Sequence, residues 1–226
     1  MKTKNADSES AVSAEETSSD TKTGPQDDSS KGLRDKQKFN ADLLYTPLSD
    51  FILQYGVGAA FNMKPSLAIG IHYLAGSKTI NYASTEGGSK VTGEAKLQGS
   101  AGYVYGRYFF GNSFNMMAGL GVRAATMEYT LAESSADLNL NGKVDIQSLA
   151  APVFIGNRWT FASGMTIGCD WLGVFIPLSG KAKSSLDGNL SSSTVTDLNQ
   201  KFVSLGDQLA HKTTLTLFLT SFGWAF

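Results

Sequence analysis

Two histidines, His72 and His211, are the first residues to test for chemistry. His211 lies close behind Ser204 and Asp207, and a serine, a histidine and a carboxylate are the side chains of nucleophilic acyl transfer. Geometry makes a triad and nearness in sequence does not, so these three form a candidate set only. A second candidate is the run Asp137, Asn139, Asn141 and Gly142, the first half of a calcium loop, with Asp145 beyond it. The twelfth position of such a loop is Ser148, where a bidentate glutamate is needed, and Asn141-Gly142 equally makes a hairpin turn. No metal and no other cofactor is expected. The single cysteine, Cys169, excludes an internal disulfide and a cysteine-rich metal site.

A third set comes from alternation. From residue 38 onward, apolar side chains recur at every second position, which places them on one face of a strand. The first strand carries Phe39, Ala41, Leu43 and Tyr45 against Asn40, Asp42 and Leu44. The second, residues 51–62, places Phe51, Leu53, Tyr55, Val57 and Phe61 outward and Gln54, Gly56 and Gly58 inward. The third, from Leu67, places Ile69, Ile71 and Tyr73 outward and Gly70, His72 and Leu74 inward. The fourth, residues 95–110, reads with Leu97, Ala101, Tyr103, Tyr105 and Phe109 outward and Gln98, Gly102 and Gly106 inward. The fifth, from Phe114, sends Met116, Leu120 and Val122 out and Gly119, Gly121 and Arg123 in. The sixth, residues 144–158, is less clean. Leu149, Ala151, Val153 and Ile155 fall on the inward parity beside Asp145 and Gln147, which suggests a bulge. The seventh, residues 165–178, has Ile167, Cys169, Trp171 and Phe175 outward and Gly168 and Asp170 inward.

The eighth strand ends the sequence as TTLTLFLTSFGWAF. Phe218, Phe222, Trp224 and Phe226 share one face and leave a column of aromatic rings. Such a column needs a cover, and lipid supplies one to a transmembrane barrel strand. Inward leucines at 215, 217 and 219 stand against this reading. Composition agrees with it: 42% of the 226 residues are hydrophobic and only 17% charged. Mean hydropathy is nevertheless −0.11, because small or polar residues separate the apolar ones. Net charge is −1, which gives no footprint for nucleic acid. Connections alternate in length. Those near residues 62–66, 111–113 and 160–164 are short, and 77–93, 132–143 and 179–212 are long. In 179–212, Val195, Leu198, Phe202, Leu205 and Leu209 recur at helical spacing, as for a helix over the barrel mouth. Residues 1–37 are polar, lack aromatics and are expected to be disordered.

The expectation is an all-β chain: a closed eight-stranded antiparallel up-and-down transmembrane β-barrel over residues 38–226, with a disordered N-terminal segment. Eight strands enclose a lumen that side chains fill. Asp42, Gln54, His72, Gln98, Arg123, Asp145, Gln147 and Asp170 are its expected polar network, with Arg123 against Asp170 or Asp145. Arg107 falls on the outward parity near a turn, where it can snorkel to the headgroups.

Strand rhythm, loop asymmetry, aromatic placement and the terminal Phe226 together resemble the small eight-stranded bacterial outer-membrane barrels of OmpA-like, OmpX-like or OmpW-like type. The resemblance implies residence in the outer membrane as a monomer, with residues 1–37 in the periplasm. It implies outer-membrane lipids, lipopolysaccharide included, and the barrel-assembly machinery as partners, with Phe218, Phe222, Trp224 and Phe226 as the assembly signal. It implies a structural, surface-contact or narrow-conduit role without catalysis. Two alternatives remain open: a soluble lipocalin-like barrel around an apolar ligand, and a lipid A-modifying barrel enzyme using His211. Residues 1–20 lack the apolar core of a secretory signal, which is expected to have been removed or to lie upstream.

Overall fold

Period-two alternation requires a ladder that continues from strand to strand, and here it continues until it meets itself. The computed structural model describes residues 29–49, 53–86, 89–133, 138–189 and 192–226. Its strands are β1 (Phe39–Thr46), β2 (Leu48–Ser49), β3 (Gln54–Lys64), β4 (Leu67–Glu86), β5 (Ser89–Phe109), β6 (Phe114–Glu133), β7 (Leu138–Thr160), β8 (Met165–Gly188) and β9 (Thr214–Ala225). Two helices accompany them, α1 (Ser30–Lys36) and α2 (Ser192–Ala210). Every pairing is antiparallel, and β9 pairs with β1 from Asn40–Ala225 to Tyr45–Thr220. The short β2 continues β1 along the same edge of β9, so the ring has eight positions. This is a closed up-and-down barrel, as the alternation implies.

The outside is apolar. Phe39, Leu43, Tyr55, Val57, Ile71, Tyr73, Val104, Val122, Phe222 and Trp224 all point away from the lumen and are exposed. Rings pair along the short-turn end of this belt, Phe39 with Phe61 at 5.1 Å and Phe110 with Phe114 at 5.6 Å. At the upper edge Tyr45 meets Tyr55 at 5.4 Å.

Four parities differ from the alternation read in sequence. In β5, Ala101, Tyr103, Tyr105, Arg107 and Phe109 are buried in the lumen, whereas Val104 and Tyr108 face out. The reversal follows from the size of an eight-stranded interior. It holds large rings when the neighbouring strand is bare backbone beside them: Gly121 pairs with Tyr103, and a Cβ there would fall on Tyr103. In β7, Ser148, Ala150, Pro152, Phe154 and Arg158 point in, so the apolar outer set from Leu149 to Ile155 needs no bulge there. The register shifts lie between β7 and β8 instead. One falls at Trp171 and Leu172, both exposed, and it turns Phe175 into the lumen. β9 answers at the same level, with Phe218 at a φ of +56°. Above that bulge Leu215 points outward; below it Leu219 is buried.

The long connections are mostly strand. β4 to β8 run 20 to 24 residues, although about 9–11 suffice to cross a bilayer. Their upper halves form a wall beyond the belt, where β3 and β9 have ended. The helical spacing in the last connection is α2, which packs on β8 and β7. Phe51, Ile52, Gly87 and Gly88 lie outside the described residues.

The polar segment before residue 38 is not wholly without structure, because Ser30–Lys36 is helical. Ser29 caps α1 by accepting from the Gly32 amide. Arg34 then ties the helix under the barrel: Nε donates to the Pro65 carbonyl at 2.8 Å, Nη1 to Asn112 at 2.8 Å and Nη2 to Gly111 at 3.1 Å. Its guanidinium lies 3.8 Å from the Phe109 ring centre. Ser30 Oγ donates to the Thr160 carbonyl. Burial, and secondly the charge of Arg158, push the Arg34 guanidinium down to about 10, so it stays protonated at neutral pH. The short turns thus leave carbonyls that this one side chain collects. Arg34→Ala is expected to weaken docking of α1 by about 2–3 kcal/mol. Limited proteolysis should then cut within residues 29–37 while the barrel stays resistant.

Candidate functional site

The lumen is built in tiers from inward side chains. The lowest tier joins β1, β7, β8 and β9. Arg158 Nη2 meets Asp42 Oδ1 at 2.6 Å, and Thr166 Oγ1 donates to the same oxygen at 3.2 Å. Arg158 also reaches Thr166 Oγ1 at 3.3 Å and Ser221 Oγ at 3.4 Å. Beside it, Arg107 forks onto Asp170, Nη1 to Oδ1 at 3.1 Å and Nη2 to Oδ2 at 2.9 Å. Arg107 Nη1 donates further to Asn115 Oδ1 at 2.9 Å. Arg107 and Asp170 are 3% and 4% exposed. A bidentate pair of this kind is the arrangement that offsets burying a guanidinium.

The middle tier is aromatic. His72 Nδ1 shares a hydrogen bond with the Tyr103 hydroxyl at 3.0 Å, and the Tyr105 ring lies tilted against the imidazole with centres 4.5 Å apart. Above them Tyr103, Phe154 and Phe175 meet with ring centres 5.5–6.2 Å apart. Leu44, Leu74, Met117 and Leu219 complete this plug. A Cβ at Gly173 would fall on the Phe154 ring, so the aromatic closure uses the bare backbone of β8.

Above the plug the lumen opens into a cavity of 380 Å³ between the wall and α2. Arg123 stands at its lower end, 5.7 Å from the Phe175 ring centre. Its Nε donates to Ser148 Oγ at 3.2 Å, Nη1 to Thr214 Oγ1, and Nη2 to the Lys212 carbonyl at 3.3 Å. Leu97, Met127, Val144, Ile146, Phe202 and Leu205 make the walls greasy. Phe202 packs tilted against Tyr129 with ring centres 4.9 Å apart, and burial raises that phenol to about 12.

Of the residues singled out in sequence, Asp42, His72 and Asp170 come together in the lumen, and Gln54 lines the cavity. Arg123 points inward, but its partners include Ser148, Thr214 and Lys212, while Asp170 is taken by Arg107. Three of the set face outward. Gln98 follows the reversed parity of β5 and is exposed, as is Gln147 on β7. Asp145 is also outward, where it accepts from Thr126 Oγ1 at 2.7 Å and pairs with Lys143 at 3.2 Å. These two contacts, the hydroxyl first, hold its carboxyl below the usual range. Arg107, read as a snorkelling exterior residue, is instead buried, and Arg158 was not singled out at all. The signal for both was two inward acids without two inward cations.

The calcium run does not form a loop. Asn139, Asn141 and Asp145 are in extended β7, which puts Asn139 and Asp145 about 20 Å apart, too far to converge on one ion. Asp137 lies outside the described residues. Nor do Ser204, Asp207 and His211 make a triad. The Asp207 carboxylate accepts from the Ala182 amide at 2.8 Å, and His211 Nδ1 bonds the Asp207 backbone carbonyl at 2.8 Å.

No protein-family model and no curated protein matches the chain. Among solved structures it is similar to CarO2 of Acinetobacter baumannii, at 11% identity and a TM-score of 0.49, over 84% of this chain and 99% of that one. It is similar to CarO of the same organism at 11% identity and 0.45, over 84% and 97%. A major outer membrane protein of Thermus thermophilus matches at 14% identity and 0.46, over 84% and 99%.

Removing one partner of a buried ion pair strands the other. Asp170→Asn is expected to cost about 3–5 kcal/mol, while the double change Arg107→Met with Asp170→Leu costs less than the single one. Urea unfolding of the refolded protein, followed by tryptophan emission, checks the order of the two.

Proposed function

We propose that the chain is an integral outer-membrane β-barrel with a sealed lumen, which acts through the wall and helix that it holds outside the bilayer. The observation that carries this reading is an inversion of the soluble pattern. Two arginine–carboxylate pairs are buried inside, and a continuous belt of exposed Phe, Tyr, Leu, Ile and Val surrounds them. A bilayer core tolerates that surface only on a ladder whose backbone groups are all paired, and the β9–β1 pairing provides closure. A lipocalin-like barrel would put the charged groups outside and an apolar pocket within.

The short-turn end with α1 is the periplasmic end, and the long upper strands face outward, in keeping with outer-membrane barrels. Phe218, Phe222, Trp224 and Phe226 are all exposed on the lipid side of β9, where the assembly machinery would read them. Outer-membrane lipids, lipopolysaccharide among them, then cover the belt of a monomer. The aromatic plug and α1 argue against a conduit, and the Asp207 carboxylate held by the Ala182 amide, with His211 Nδ1 on a backbone carbonyl, argues against an acyl-transfer enzyme.

Membrane extraction tests this directly. The protein should leave membranes only with detergent and migrate differently on a denaturing gel before and after boiling. In planar bilayers the folded form should give no steady conductance. A protein recovered folded without detergent would contradict the membrane reading, and steady ion channels would contradict the sealed lumen.

A further inference from the structure

The cavity beneath α2 is not needed to close the barrel, because the aromatic plug already does so. Its volume of 380 Å³ lies within the roughly 300–1,000 Å³ of small-ligand sites. Its chemistry is divided. Leu97, Met127, Val144, Ile146, Leu205 and Leu209 line the long sides, the first four from the wall and the last two from α2. Three cations, Lys78, Arg123 and Lys212, lie on the lining, and no carboxylate does among the described residues. Arg123 and Lys212 are neighbours at the lower end, where the Arg123 guanidinium donates to the Lys212 backbone carbonyl and the Lys212 residue stays exposed. Lys78 pairs in register with Leu97, and Leu97 with Met127, so it stands higher on the wall. An apolar slot with an arginine and a neighbouring lysine at one end, and no carboxylate on the lining among the described residues, matches one ligand class by both grease and charge.

We propose that this cavity binds a free single-chain amphiphile with an anionic head, such as a long-chain carboxylate. The alkyl chain lies between α2 and the inner face of β5–β7, and the head meets Arg123 and Lys212. Access does not require the barrel to open. Beyond Tyr55–Ala75 no described residue of β3 pairs with β4, so among the described residues the wall has one unpaired side above the belt, while α2 lies along the β8 side. The inference rests on the outer-membrane reading only for the way the protein is handled.

The test uses the full chain in lipid nanodiscs, with radiolabelled palmitate and hexadecanol as probes. Palmitate should bind near one per barrel, and hexadecanol, which has the same chain without the charge, about tenfold more weakly. Ala125→Trp points a large ring into the cavity and should abolish binding. Lys212→Gln should weaken palmitate about tenfold and leave hexadecanol unchanged. The band shift on boiling is recorded for each variant, so loss of fold or of membrane insertion is separated from loss of the ligand. Equal binding of both probes, binding that survives Ala125→Trp, or no saturable palmitate binding to the correctly folded protein would each overturn the proposal.

Discussion

Six residue pairs between β1 and β9 close the ladder, and the rest of the molecule depends on that closure. A sheet edge left open in hydrocarbon would leave amides and carbonyls unpaired, each costing several kcal/mol. Closing the ring at eight positions fixes a lumen only as wide as its side chains. That width in turn decides what the interior contains. Aromatic rings fit where the adjacent strand is bare backbone beside them, as at Gly121 next to Tyr103 and Gly173 next to Phe154, and charges fit where an arginine and an acid meet across the lumen. The Arg107–Asp170 fork and the Arg158–Asp42 pair span the barrel at the same depth, so they brace β1, β5, β7 and β8 across the lumen.

Closure also explains the bulges. Trp171 in β8 and Phe218 in β9 are skipped in the pairing at one level, between Asp170–Leu219 and Leu172–Leu217. Both rings face out. Each strand gains a residue there, and the parity above the bulge reverses. Phe175 turns into the plug and Leu215 turns out. The two strands reverse together, so their ladder survives. Above this level β9 soon ends, and α2 takes its place against β8.

Much of the architecture was legible in the sequence, and the failures have physical causes. β4 and β6 could be read from alternation because their inward positions, Leu74 and Met117 apart, are small or polar, and their outward ones are mostly aliphatic. β5 could not, since Tyr103 and Tyr105 are as suited to a lumen facing glycines as to a lipid face. Arg107 was misplaced by the same inversion. β7 carries apolar residues on both sides around Phe154, so its pattern holds no parity of its own. The upper strands were read as loops because polar residues alternate with small ones there and no apolar face marks them. α1 left no signal: it has one leucine and a single arginine whose partners are turn carbonyls. The helix α2 was visible because it does keep an apolar face, toward the wall. The site was less legible than the fold. Two of its acids were found and neither of their partners, because a pair across a lumen is set by register rather than by sequence spacing.

The claim on which the account stands is that the aromatic exterior meets lipid. The three tryptophans, Trp159, Trp171 and Trp224, all lie on that exterior and all are exposed. Their emission can be measured with the protein reconstituted in bilayers of ordinary and of acyl-brominated phospholipid. The account predicts strong quenching by the brominated chains and weak quenching by aqueous acrylamide. Emission indifferent to bromine and readily quenched from water would mean that the belt faces solvent or another protein, and the membrane barrel would have to be abandoned.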